Sequence, residues 1–137
     1  MTRYLLDKNI ISELHKPKPH GGVAAWFAAL RDEQVCFSAV TLYELQEGIE
    51  RTRKQNPEKV RAIEVWVDEL EHSTEVLPMD GRCFREAARM MVSKQEDLSY
   101  DVMIAATARL YKLTVATRNE KDFDRLRVEI INPFKSN

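Results

Sequence analysis

The chain has 137 residues, a formal net charge of −1, and 44% hydrophobic and 31% charged residues. That is the size and balance of one globular domain with a core of its own, which argues against a disordered chain. No apolar run is long enough to span a membrane. The strongly basic balance common among nucleic-acid binders is absent, so any RNA contact must rest on local charge.

Residues 3–6 (RYLL) predict a short buried strand that stops at Asp7. The opening MTRYLLDKNIISEL is broken by Asp7 and Lys8, so it reads as part of the fold rather than as a secretory signal. Asn9 is placed to cap a short helix over IISEL, which ends before Lys16-Pro17-Lys18-Pro19. Gly21 and Gly22 open an amphipathic helix, VAAWFAALRDE, and residues 35–38 (VCFS) predict a second strand. A helix from Val40 to about Arg53 sets Leu42, Leu45 and Ile49 on one face. Another, from Asn56 or Pro57 to about His72, carries Val60, Ile63, Val67 and Leu70 at helical spacing. The charged stretch between them, RTRKQNPEK, reads as the turn of a solvated helical hairpin rather than a domain boundary.

Residues 75–77 (EVL) predict a third strand, and Asp80 caps a helix to about Val92. An alanine-rich helix spans about Tyr100 to Lys112, followed by a fourth strand at 113–116 (LTVA). A short helix near Asn119–Asp124, a fifth strand at 128–131 (VEII) and a loop tail complete the chain. Strands alternate with helices throughout. This predicts a three-layer α/β/α fold around a central parallel sheet of about five strands, in one domain over 1–137.

Cys36 and Cys83 lie in apolar surroundings without CxxC spacing, so they read as buried free thiols, as expected of a cytoplasmic protein. His15, His20 and His72 are scattered, show no metal-ligand spacing and read as surface residues.

In an open α/β sheet, ligands bind at the carboxyl ends of the strands. Asp7 directly follows the first strand, and Thr117, Arg118 and Asn119 directly follow the fourth. Glu44 and Asp101 lie near the N-termini of helices that can face the same edge, and Asp122 lies in the short helix that opens there. Each acid alone reads as a cap or a solvated charge. Four acids at one sheet edge repel one another unless a cation sits between them, and hard oxygen ligands suit Mg²⁺ or Mn²⁺.

Three segments carry a family resemblance: YLLDKNIISEL, SAVTLYELQEGIE and SYDVMIAATARLYKLTVATRNEKDF. Together, in this order, they resemble the PIN-domain ribonucleases, in particular the VapC toxins of bacterial toxin–antitoxin pairs and the related FitB-like proteins. The resemblance runs from Arg3 to about Pro133. It implies an acidic site of Asp7, Glu44, Asp101 and Asp122, supported by Asn9, Thr117 and Asn119. It also implies Mg²⁺-dependent cleavage of RNA, a small antitoxin partner and a homodimer or larger assembly. On this reading Asp7 and Asp101 bind the metal directly, while Glu44 and Asp122 act through water or orient the nucleophile.

One departure from the family pattern is Lys8, where a small hydroxyl residue is usual. Lys8 could pair with a carboxylate, contact an RNA phosphate or turn to solvent. Pairing would weaken metal binding, so the alternative reading is a catalytically impaired module that binds nucleic acid or a partner. Basic residues for RNA are spread over Lys16, Lys18, Arg51, Arg53, Lys54, Arg118 and Lys121. Of these, Arg118 and Lys121 flank the acids and are the expected substrate contacts beside Lys8. A receiver-like phosphorylation domain also uses strand-end acids, a Thr and a Lys, but neither VCFS nor EVLPM supplies its phosphoacceptor Asp.

Overall fold

Short apolar strands separated by helices can hide both faces of a sheet only by pairing in parallel beneath two helical layers. The computed structural model, which describes residues 1–92 and 97–135, has this arrangement. Strands β1 (Tyr4–Leu6), β2 (Val35–Ser38), β3 (Glu75–Leu77), β4 (Thr114–Ala116) and β5 (Ile130–Ile131) form one sheet in the order β3-β2-β1-β4-β5. Every neighbouring pair is parallel. β1 is central, pairing Leu5 with Cys36 on one side and with Val115 on the other. The strand order reverses between β1 and β4, and this switch point opens a crevice at the carboxyl edge.

Alternation along the strands assigns the two faces. Leu5, Cys36 and Val115 point to a core shared with α5 (Gly81–Met91) and α6 (Tyr100–Tyr111). Leu6, Phe37 and Ala116 point to a second core shared with α1 (Lys8–His15) and α2 (Gly21–Ala28). In α6, Ala105, Ala106 and Ala108 are fully buried, as suits a helix lying close against a sheet. The helix stops at Lys112, whose left-handed backbone (φ 56°) caps it. Helices α3 (Ala39–Gln55) and α4 (Pro57–Ser73) form the expected hairpin around Leu45, Ile49, Val60 and Val67. Arg53 braces it by pairing with Glu50 and Glu64. Truncating the fully buried Phe37 to Ala is expected to cost about 3–5 kcal/mol, read as a lower urea midpoint.

Several boundaries differ from the expected ones. Asp7, not Asn9, caps α1, because the Asp7 carboxylate accepts the Lys8 N–H at 2.8 Å. α2 ends at Ala28, before the expected Glu33. Residues Asp32–Gln34 form a 3₁₀ turn instead, held where the Gln34 amide donates to Thr2 O and Arg3 Nε donates to Glu33 O, both at 3.0 Å. β5 has only Ile130 and Ile131, a short edge strand. The last two residues of the tail lie outside the described residues. Among those described, no helix is long and apolar enough to cross a membrane. Cys36 and Cys83 are buried free thiols.

Candidate active site

Asp7 closes β1 at the switch point, where its N–H donates to Ala116 O of β4 at 2.9 Å. Its side chain is then fixed from three directions. Oδ1 accepts from the Lys8 N–H at 2.8 Å, and Oδ2 accepts from the Thr117 hydroxyl at 2.8 Å and the Asn9 amide at 3.2 Å. The same groups staple the end of β1 to the turn after β4. Asn9 Oδ1 accepts the Arg118 N–H and Thr117 Oγ1 accepts the Asn119 N–H, each at 3.0 Å. Asn9 and Thr117 therefore hold Asp7 directly and the Asn119 N–H holds Thr117, so Asn9 braces the acid, as the resemblance implied, rather than capping the helix.

Asp7 is only 4% exposed. Burial raises its pKa, three hydrogen bonds pull the other way, and the Asp122 charge adds to the rise. Glu44 stands in the second turn of α3. Burial pushes its carboxyl up to about 7, the charges of Asp7 and Asp101 add to this, and the Lys8 ammonium opposes it. Glu44 Oε1 is buried and has no hydrogen-bond partner among the described residues. Asp101 lies in the first turn of α6 behind the Ser99 cap, where the helix dipole favours a carboxylate. Burial and the charges of Asp7 and Asp122 nonetheless push it up to about 6. Asp122, in the first turn of α7 (Glu120–Asp124), is exposed and acts on Asp7 and Asp101 by its charge.

The four acids thus share one crevice electrostatically. Three of their pKa values are raised, first by burial and then by one another's charges. Among the described residues no three acidic, histidine or cysteine side chains stand as a ready-made metal cage. An open cluster with a buried, unpaired carboxylate oxygen suits a hard, strongly hydrated cation that needs one or two carboxylates. It suits zinc poorly, because the histidines are engaged elsewhere. His15 stacks on Trp66 at 3.8 Å, His20 caps α2 through Nδ1, and His72 bonds Asp68 O at 2.7 Å.

The raised pKa values fix a pH dependence. The folded state holds protons on Glu44 and Asp101 that the unfolded chain has already released. Metal-free stability should therefore fall as pH rises from about 4, the ordinary carboxyl range, to about 7. Urea midpoints measured in EDTA across this window check the slope, and saturating Mn²⁺ is expected to flatten it.

Sequence reasoning missed Glu47. One turn after Glu44, it adds charge to the cluster and accepts the Tyr100 hydroxyl at 2.8 Å. The i, i+3 spacing from Glu44 was the available signal. Lys8 is half-buried, and its charge acts on Glu44. The Arg118 guanidinium lies 4.6 Å above the Phe134 ring. Beside the acids, Arg118, Lys121 and Lys135 line a hollow of about 580 Å³ together with Asp122. Lys16 pairs instead with Glu13 at 2.9 Å.

Fold and crevice together define an α/β/α domain that gathers carboxylates at the switch point of a parallel sheet. The chain belongs to the PIN domain family, whose model matches residues 4–129. Toxin FitB of Neisseria gonorrhoeae is 34% identical, over 95% of this chain and 97% of its own. VapC ribonuclease Y4jK of Sinorhizobium fredii is 32% identical, over 96% and 97%. A solved member of the VapBC family of toxin–antitoxin systems, VapBC-5 from Mycobacterium tuberculosis, superposes with a TM-score of 0.67 at 26% identity, over 96% of this chain and 99% of that one. Within its family the chain is similar to the FitB and VapC proteins over nearly its whole length, and a PIN domain is not a receiver domain.

Proposed function

We propose that this chain, acting as one PIN domain in the cytoplasm, is a metal-dependent endoribonuclease and the toxin of a toxin–antitoxin pair. The observation that carries the reading is the shared acid crevice, with its raised pKa values and the unpaired Glu44 oxygen. Asp7 and Asp101 would hold Mg²⁺ or Mn²⁺, with Glu44 and Asp122 acting through water. When bound, such an ion polarises a phosphate oxygen and acidifies a water.

The side chains account for the rest. The Thr117 hydroxyl and the Asn9 amide fix the plane of the Asp7 carboxylate. Glu44, with a pKa of about 7, is suited to take the proton of the attacking water. Lys8, Arg118 and Lys121 are the phosphate contacts. An antitoxin partner is supported by the solved toxin–antitoxin relative. A homodimer or larger assembly is supported by an apolar hollow of about 420 Å³ that includes Val40, Tyr43, Met79, Phe84 and Met103, in which Tyr43 is 59% exposed.

The test is the melting temperature under Mn²⁺ titration. Wild type should be stabilised and Asp101→Asn should not; equal shifts in the two would refute the assignment. The second reading, an impaired nucleic-acid or partner-binding module, rests on the Lys8 charge acting on Glu44. Under the nuclease reading, Lys8→Thr lowers the Mn²⁺ concentration needed for half-maximal stabilisation and leaves cleavage measurable in both proteins. Cleavage that emerges only in Lys8→Thr would favour the impaired module.

A further inference from the structure

Helices α3 and α6 each bring one acid to the crevice, Glu44 and Asp101. The two repel, since the Asp101 charge is among those that disfavour the Glu44 carboxylate. That repulsion acts to spread α3 from α6. Within one protomer little apolar packing opposes it on one side. There Val40 and Tyr43 of α3 and Tyr100 and Met103 of α6 share a hollow of about 420 Å³. The Tyr43 and Tyr100 rings meet only at a tilt, with centroids 5.8 Å apart.

The Tyr100 hydroxyl bridges the two helices. It donates to Glu47 Oε1 at 2.8 Å, the one side-chain hydrogen bond between α3 and α6 among the described residues. Both partners are half-buried. A hydrogen bond to a carboxylate is stronger than one between neutral groups. Its two ends also stand in register with the acids. Glu47 lies one turn after Glu44, so the two are neighbours on the surface of α3. Tyr100 directly precedes Asp101 in the first turn of α6.

We propose that Tyr100 and Glu47 are positioning residues, whose hydrogen bond sets the spacing of Glu44 and Asp101 across the crevice. Tyr100 acts through Asp101 and Glu47 through Glu44, without touching metal or RNA. The inference deepens the nuclease reading and rests on it. The fold itself is anchored elsewhere. α6 is held by the fully buried Ile104, Ala105 and Ala108, and α3 by Leu45 and Ile49. Losing the bond should therefore disturb the acids more than the stability.

The experiment compares Tyr100→Phe, Glu47→Ala, Glu47→Gln and the double variant Tyr100→Phe/Glu47→Ala with wild type. It reads the Mn²⁺ concentration for half-maximal stabilisation, the kcat and KM of RNA cleavage, and the melting temperature in EDTA. Tyr100→Phe removes only the hydroxyl. It should raise the half-stabilising Mn²⁺ concentration and lower kcat, each by about tenfold or more, as expected for a group behind a metal ligand. KM for RNA should not change, and the losses should not track the melting temperature. Glu47→Ala should match it, and the double variant should be no worse than either, because all three remove the same bond. Glu47→Gln keeps an acceptor for the hydroxyl and should lie between Glu47→Ala and wild type. The Glu47 pair decides the matter should Tyr100→Phe fail to fold. Additive losses in the double variant, or a Glu47→Gln as impaired as Glu47→Ala, overturn the proposal. A wild type that neither gains stability from Mn²⁺ nor cuts RNA sinks the nuclease reading and this inference together. Wild-type binding and cleavage that persist undiminished in Tyr100→Phe sink this inference alone.

Discussion

Asp7→Asn is expected to lower RNA cleavage at least about 100-fold while the protein still folds. Changes to groups that merely support a metal ligand cost about 10–100-fold, so changing a proposed ligand should exceed that range. The fold survives because Asn keeps one acceptor for the Lys8 N–H or the Thr117 hydroxyl, the groups that hold Asp7. The substitution also removes a charge that burial, and to a lesser degree Asp122, already disfavours. Initial cleavage rates and melting curves measured on the same preparations check both halves. Undiminished cleavage would remove Asp7 from the site.

Glu44→Gln should separate stability from activity even more sharply. At pH 8 the wild-type carboxyl, with a pKa of about 7, is charged among Asp7 and Asp101, whereas Gln mimics its neutral form. Because the folded pKa lies above the unfolded one, the destabilisation is absent below about pH 4.3 and complete above about 7. In EDTA the variant should therefore melt about 3 °C or more above wild type at pH 8, and level with it near pH 4. Cleavage should fall by about 10²–10⁴, the range for loss of a general base. A lower melting temperature at pH 8 would mean that Glu44 is stabilised as the anion. Unchanged cleavage would exclude it as the base.

The layer order and the parallel sheet were legible because each strand is a short apolar run followed by a helical pattern. Which strand residues share a face, Leu5 with Cys36 and Leu6 with Phe37, was not read from the sequence, because strands buried on both faces are apolar at every position. Local competition was not legible. Asp7 and Asn9 are both good caps, and only the β1–β4 seam, absent from local sequence, draws Asn9 towards Thr117 and Arg118. The early end of α2 depends likewise on Gln34 reaching Thr2, a contact between distant segments. For the site, strand ends and helix starts marked Asp7, Glu44, Asp101 and Asp122 as neighbours of one edge. Their burial and mutual repulsion are properties of the assembled crevice. Glu47 was missed because a helical Glu on a partly exposed face looks like any solvated charge.

The central claim is that the acid crevice cleaves RNA with a divalent cation. Its most direct test is incubation of the purified protein with RNA in Mn²⁺, in EDTA, and in Mn²⁺ with Asp101→Asn. The account predicts cleavage in the first mixture only. Cleavage that survives EDTA or the substitution, or no cleavage by wild type in Mn²⁺, would contradict it.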